Sequence, residues 1–181
     1  MRRWVPAIAG LLILPAATVV VAGQPALHAS VTFVDASGAQ VGWGKLVEDG
    51  SGRVHVNVHV DGISPGRHGI HIHAVGSCTP TFAAAGGHYN PFTREHGLDN
   101  ASGPHAGDLP NLEVNTAGIG HLDATTDRVT LSGGGATLFD HDGSAFIIHA
   151  NEDDQVTNAT NGNSGARIAC GVIELAKPTP D

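Results

Sequence analysis

The chain has 181 residues, with 9 Lys+Arg against 17 Asp+Glu, and it is 41% hydrophobic and 14% charged. That balance supplies one globular core and excludes a disordered chain; the 25 glycines follow no period, which excludes a collagen-like one. A formal charge of −8 is the wrong sign for the basic stripe that a phosphate backbone requires, so no nucleic-acid partner is expected.

The first element reads as a targeting segment. No acid precedes Asp35, and Arg2-Arg3 followed by an apolar run from Trp4 to Ala22 has the basic start and apolar middle of a secretory signal, with Val20-Val21-Ala22 offering a small residue for cleavage. The chain then divides into a signal peptide at about 1–22 and one domain over 23–181, exported to a periplasm, a cell envelope or the medium. The rival reading is an uncleaved anchor, because about 18 apolar residues can span a bilayer. Pro6, Pro15 and Thr18 weigh against it, and a membrane becomes a partner only on that reading. In an oxidising compartment Cys78 and Cys170, the two cysteines, are expected to pair.

Behind the signal come short alternating runs broken by glycine. Arg53 to Asp61 puts every Val on one face and every polar side chain on the other, the pattern of a half-buried strand. Strands are predicted at Leu27–Asp35, Gln40–Val47, Arg53–Asp61, Gly69–Val75, Val114–Asp123, Arg128–Leu131, Ser144–Ala150 and Arg167–Ala176, separated by turns such as Ala36-Ser37-Gly38, Asp49-Gly50-Ser51-Gly52 and Ser64-Pro65-Gly66. Eight short strands indicate an all-β antiparallel sandwich or barrel. Gly76 to Asn111 and Asn151 to Ala166 are too long for ordinary connections and read as two functional loops.

The histidines supply the chemistry. In His71-Ile72-His73, residues two apart on a strand project to the same side, a preformed half of a metal site. The first long loop adds His88, His96, His105 and Asp108; the last three make a three-ligand set, and His88 as a fourth gives a tetrahedral N3O site suited to zinc. His71, His73 and His149, all on strands, remain as an imidazole set that fits zinc or copper, and one-electron chemistry would require copper because zinc does not change oxidation state. Any one of these histidines could be an ordinary core or surface residue. Six of them with an aspartate on one loop and two strands are not explained that way.

Four runs now become specific: His68-Gly69-Ile70-His71-Ile72-His73, Gly87-His88-Tyr89-Asn90-Pro91, His105-Ala106-Gly107-Asp108-Leu109-Pro110-Asn111, and Gly165 through Ile173 with Arg167 and Cys170. In order and content they resemble the copper/zinc superoxide dismutase family, from about Leu27 to Leu175. The resemblance implies a flattened eight-stranded Greek-key barrel, a fold for which that family is a standard example among immunoglobulin-like sandwiches. It implies disproportionation of superoxide to dioxygen and hydrogen peroxide as an antioxidant activity, with one copper and one zinc per chain. Copper would be held by His71, His73, His88 and His149, and zinc by His88, His96, His105 and Asp108, with His88 bridging the metals and delivering a proton. Arg167 falls on the family's active-site arginine, Asp153 on the carboxylate that links a copper histidine to a zinc histidine (His71 and His96), and Cys78 and Cys170 on its disulfide. The family includes monomers and homodimers.

Some features depart from the family's eukaryotic members. The stretch from Cys78 to His88 is longer, as in exported bacterial forms, and Asn151 to Ala166 has no lysine, so the charge pattern credited with guiding the substrate is not visible there. His68 matches a structural position, while His28, His55, His59, His121 and His141 match no ligand and read as solvated surface residues. The alternative function is a non-enzymatic exported copper/zinc-binding protein on the same barrel. Relatives of that kind lose copper ligands or the arginine, and this chain retains all of them.

Overall fold

Alternation sets the frame of the molecule: Val54, Val56, Val58 and Val60 are all buried while His55 between them is exposed, so this strand turns one face to the core and one to water. The computed structural model describes Met1 and residues 26–176, so the signal peptide expected over 1–22 lies, Met1 apart, outside the described residues. The strands are β1 (Leu27–Asp35), β2 (Gln40–Glu48), β3 (Val54–Val60), β4 (Gly66–His68), β5 (Ile70–His73), β6 (Leu112–Val114), β7 (Gly120–Thr126), β8 (Ala145–His149) and β9 (Arg167–Leu175). Two short 3-10 segments, Phe82–Ala85 and Asn158–Asn163, lie in the long loops.

All pairings of named strands are antiparallel, in the order β4-β6-β7-β3-β2-β1-β9-β8-β5. The two ends of that order, β4 and β5, adjoin in the chain at Gly69. Its N–H donates to the carbonyl of Asn151 at 2.8 Å and its carbonyl accepts from the amide of His149 at 2.8 Å. One stave thus pairs first with β6 and then with β8, and it closes the barrel. Nine ladder segments make eight staves, and the all-β Greek-key class stands.

Most expected strands shift by only one or two residues at their ends, but two of them are not single strands at all. Val114–Asp123 is a hairpin rather than one strand. The Asn115 side chain accepts the amides of Ala117 and Ile119 at 2.9 and 3.1 Å, and Gly118 takes the positive φ of 82° that the turn needs. Arg128–Leu131 is not a strand, because its amides go elsewhere: the buried Glu48 carboxylate takes the N–H groups of Leu131 and Ser132 at 2.6 and 2.7 Å, and only one bridge, Thr130 to Thr137, remains. The Ser64-Pro65-Gly66 turn, in exchange, runs directly into β4.

The core is filled by Phe33, Leu46, Ile70, Ile72, Phe146 and Ile148 among others, and each fully buried side chain of this size contributes roughly 1.5–3 kcal/mol. Ile70 and Ile72 point inward, which sends His71 and His73 to the outer face of β5. On β8, all five residues are buried. Phe146 and Ile148 join the core, whereas Ala145 and Ile147 pack with Ala85, Cys170, Cys78 and Phe82 beneath the first long loop. The outer face of β5 and β8 is therefore roofed by loops, and the site lies under that roof.

Candidate metal centre

The first long loop is stitched onto β5 by backbone bonds. Ile72 N–H donates to Gly107 O at 2.9 Å, Tyr89 N–H to Ile72 O at 2.8 Å, and Ala74 N–H to Gly87 O at 2.9 Å. A side chain at Gly107 would meet Ile72 O at 2.3 Å, so glycine is what lets the two backbones approach. His88 and Asp108 are thereby carried opposite His73 and His71. His71, His73, His88, His96, His105, Asp108, His149 and Asp153 all converge and are all buried.

One nitrogen of each of four imidazoles is accounted for by its neighbours. His71 Nε2–H donates to Asp153 Oδ2 at 2.6 Å, His73 Nδ1–H to Gly86 O at 3.0 Å, and His149 Nδ1–H to Gly165 O at 3.0 Å. His88 Nδ1 lies 3.1 Å from Asp108 Oδ1. What remains is His71 Nδ1, His73 Nε2, His88 Nε2 and His149 Nε2, each buried and without a hydrogen-bond partner. These four residues bring ligand atoms within 4.8 Å of one another. Four orphaned lone pairs converging in a buried pocket are costly unless a cation takes them. A set of neutral nitrogens is a donor set suited to copper.

Beside it is a second cluster. Asp108 Oδ1 lies 3.1 Å from His88 Nδ1, 3.0 Å from His96 Nδ1 and 3.4 Å from His105 Nδ1, and His105 Nδ1 is 3.3 Å from His88 Nδ1. Ligands about 2.0 Å from a tetrahedral zinc stand about 3.3 Å apart, and these four spacings are close to the edge length of such an N3O tetrahedron. His71 also lies close enough to group with His88, His96 and Asp108. Its Nε2 is committed to Asp153 and its Nδ1 belongs with the four orphaned nitrogens, so His105 is the chemically suitable fourth member. His88 joins the clusters, with Nε2 in one and Nδ1 in the other.

Electrostatics separates the two halves. Burial pushes His71 down to about 3, His73 to about 2 and His149 to about 4, so all three are neutral at pH 7 with a lone pair available. At His96 burial acts downward, but the carboxylates of Asp108 and Asp153 outweigh it and raise the imidazole to about 9. Burial works upward on both carboxylates, and hydrogen bonds from the histidines overcome it and hold them well below the usual carboxylate range. This half of the site attracts positive charge.

Arg167 opens β9 and is partly buried. Its Nη1 donates to Phe82 O and its Nη2 to Gly86 O, both at 2.6 Å. Both acceptors belong to the loop segment that the Cys78–Cys170 disulfide, with Cα atoms 5.8 Å apart, fastens to β9.

Three supporting residues escaped the sequence reading. Asn111 clamps the backbone of Asp153: its Oδ1 accepts the Asp153 amide at 2.9 Å and its Nδ2 donates to the Asp153 carbonyl at 2.8 Å. Arg128 donates from Nη2 to Asp108 O at 2.6 Å. A Cβ on Gly162 would fall 1.7 Å from Asp153 Oδ1, so glycine makes room for that carboxylate. Asn111 stood inside a recognisable run; nothing local marks Arg128 or Gly162.

Fold and site together define a Greek-key β-barrel protein with a buried histidine-carboxylate centre. Residues 41–173 match the copper/zinc superoxide dismutase (SODC) family, and the chain belongs to it. Superoxide dismutase (Cu-Zn) 2 of Aquifex aeolicus is 37% identical over 176 residues, 96% of this chain and 99% of the relative. The superoxide dismutase-like protein YojM of Bacillus subtilis is 42% identical over 146 residues, 79% of this chain and 74% of the relative. The crystal structure of a SOD-like protein from Bacillus subtilis superposes with a TM-score of 0.74 at 42% identity, covering 79% of this chain and 96% of that one.

Proposed function

We propose that the chain is an exported superoxide dismutase: two superoxide ions and two protons become dioxygen and hydrogen peroxide, with one copper and one zinc ion per chain. The assignment gives copper to His71, His73, His88 and His149 and zinc to His88, His96, His105 and Asp108. The observation that carries it is the two-sided His88, whose Nε2 is orphaned among three other histidine nitrogens while its Nδ1 sits in the N3O cluster. Copper, when bound, supplies the one-electron change that zinc lacks.

The chain's own residues do the rest. His88 would hold a proton at Nε2 for the departing product only while that nitrogen is not committed to copper, because its Nδ1 is occupied on the Asp108 side. Arg167 attracts and orients the small anion: two of its five N–H groups are tied to carbonyls, which fixes the plane of the guanidinium and leaves the others for substrate. Asp153 fixes the rings of His71 and His96 from behind. Export rests on the basic-apolar start of the sequence, and the disulfide supports it.

The test is metal content together with a superoxide assay on the purified protein and on His73→Ala. About one copper and one zinc with activity, and a folded His73→Ala that keeps zinc and loses activity, support the proposal. Copper and zinc bound without activity give the non-enzymatic metal-binding protein instead, and full activity in His73→Ala overturns the copper assignment.

A further inference from the structure

Strands β6, β7, β3 and β2 lie side by side, and their register places Glu113, His121, His59 and Trp43 opposite one another in one row. Glu113, His121 and Trp43 are exposed and His59 partly so, while Val58, Val60 and Leu122 beside them face the core. The rings of His59 and His121 are 4.3 Å apart between centroids at 37°, and the Trp43 indole stacks on the other side of His59 at 4.3 Å and 29°. His121 Nδ1–H donates to Val58 O at 3.1 Å, which leaves its Nε2 a free lone pair. Among the described residues neither ring nitrogen of His59 has a hydrogen-bond partner. The Glu113 carboxylate has only a loose neighbour, Arg67 Nε at 4.0 Å, and it shares a shallow groove with His59 and His121.

We propose that this row is a surface site for one divalent copper ion, separate from the buried centre, with His59 and His121 as its nitrogen ligands and Glu113 as its oxygen ligand. Two imidazoles and a carboxylate suit a divalent transition ion, and copper stands highest in the affinity order for such donors. The tautomer of one ring is already set by the backbone, so little ordering is needed there. The three donors do not converge as they stand, so binding would need the His59 ring and the Glu113 side chain to turn toward His121 Nε2; χ2 of histidine is a broad torsion. No residue is shared with the buried cluster, which stands on β5, β8 and the two loops.

Trp43 makes the site observable, since a paramagnetic ion on His59 would lie against the indole stacked on that ring and quench its emission. The experiment titrates copper(II) chloride into the full chain already loaded with copper and zinc, and reads tryptophan emission and bound copper together. One further saturable equivalent is expected, accompanied by quenching that is absent in Trp43→Phe. His59→Gln or His121→Gln should weaken that equivalent by at least about tenfold, since removing even a group that supports a ligand costs that much. Glu113→Gln should weaken it less. Superoxide activity per loaded copper should be unchanged in both histidine variants, and His141→Gln, an exposed histidine elsewhere, should bind as the wild type does. No saturable equivalent, quenching that survives in the His59→Gln/His121→Gln double variant, or equal loss in His141→Gln would overturn the site.

Discussion

His73 and Arg167 share one acceptor, the carbonyl oxygen of Gly86, which takes the imidazole Nδ1–H at 3.0 Å and the guanidinium Nη2–H at 2.6 Å. A ring from β5 and a cation from β9 are thus registered to each other by a single loop residue. The cation also acts on the rings: its charge is among the influences that disfavour protonation of His73 and His149. On the proposed assignment, anion guidance and ligand orientation converge on one peptide.

Arg167→Ala should therefore bind copper and lose about tenfold or more in rate, the size of effect that a focused charge has on a small anion. Arg167→Lys should recover part of the loss, because a lysine keeps the charge but not the planar fork. Raising ionic strength should slow the wild type more than Arg167→Ala. Rates measured against salt for both proteins decide the matter; parallel slopes would make Arg167 a structural residue.

Asp153 joins His71 to His96, at 2.6 and 3.0 Å. Asp153→Ala should lower affinity for both metals by about 10–100-fold, the usual cost of losing a carboxylate behind metal-bound histidines. Gly162→Ala should act in the same direction through the carboxylate it would displace. Chelator competition on each variant reads the loss, and an Asp153→Ala protein that retains both metals like the wild type would show that the carboxylate has no such part.

The barrel was legible because its signal is local. Alternating Val54–Val60 and the paired His71 and His73 carry their faces in their own spacing. The gathered cluster was legible only as a set of candidates: the structure brings His88, His96, His105, Asp108, His149 and Asp153 together, but a residue such as Arg128 reaches Asp108 through tertiary packing alone. Its segment looked like a strand because the sequence does not show that a distant Glu48 will take its amides. The row from Glu113 to Trp43 was invisible for a related reason, since four strands set it by register and each member looks solvated in isolation.

Breaking the disulfide should cost stability and activity together. Cys78 and Cys170 are 92 positions apart, a loop whose closure contributes roughly 4–5 kcal/mol in the chain-entropy description. The same crosslink steadies the segment that presents Phe82 O and Gly86 O to Arg167 and His73. Melting and superoxide assays on the metal-loaded protein, with and without a phosphine reductant, should show both falling. A reduced protein with unchanged melting would mean that packing of Phe82 against Ala145 and Ile147 suffices.

Acid and alkali should destabilise the metal-free protein by different histidines. His71, His73 and His149 ordinarily titrate near 6.5, and burial lowers them to about 3, 2 and 4 in the fold. Below pH 6.5 the unfolded chain then binds more protons than the native one, so stability falls as pH drops from 6.5 toward 4. His96 has the opposite sign: held at about 9 by Asp108 and Asp153 against the pull of burial, it contributes stability that is complete below 6.5 and is lost as pH rises through 9. The melting temperature of chelator-treated protein should accordingly peak between these windows, close to neutrality. On the proposed assignment zinc would take the place of the proton on His96 Nδ1, so loading zinc should raise the melting temperature and flatten the alkaline side, while zinc uptake below pH 9 should release a proton. Melting curves from pH 4 to pH 10 with and without zinc, together with proton release in weakly buffered solution, make the measurement. An alkaline fall that is equally steep with zinc bound would show that His96 is not a zinc ligand.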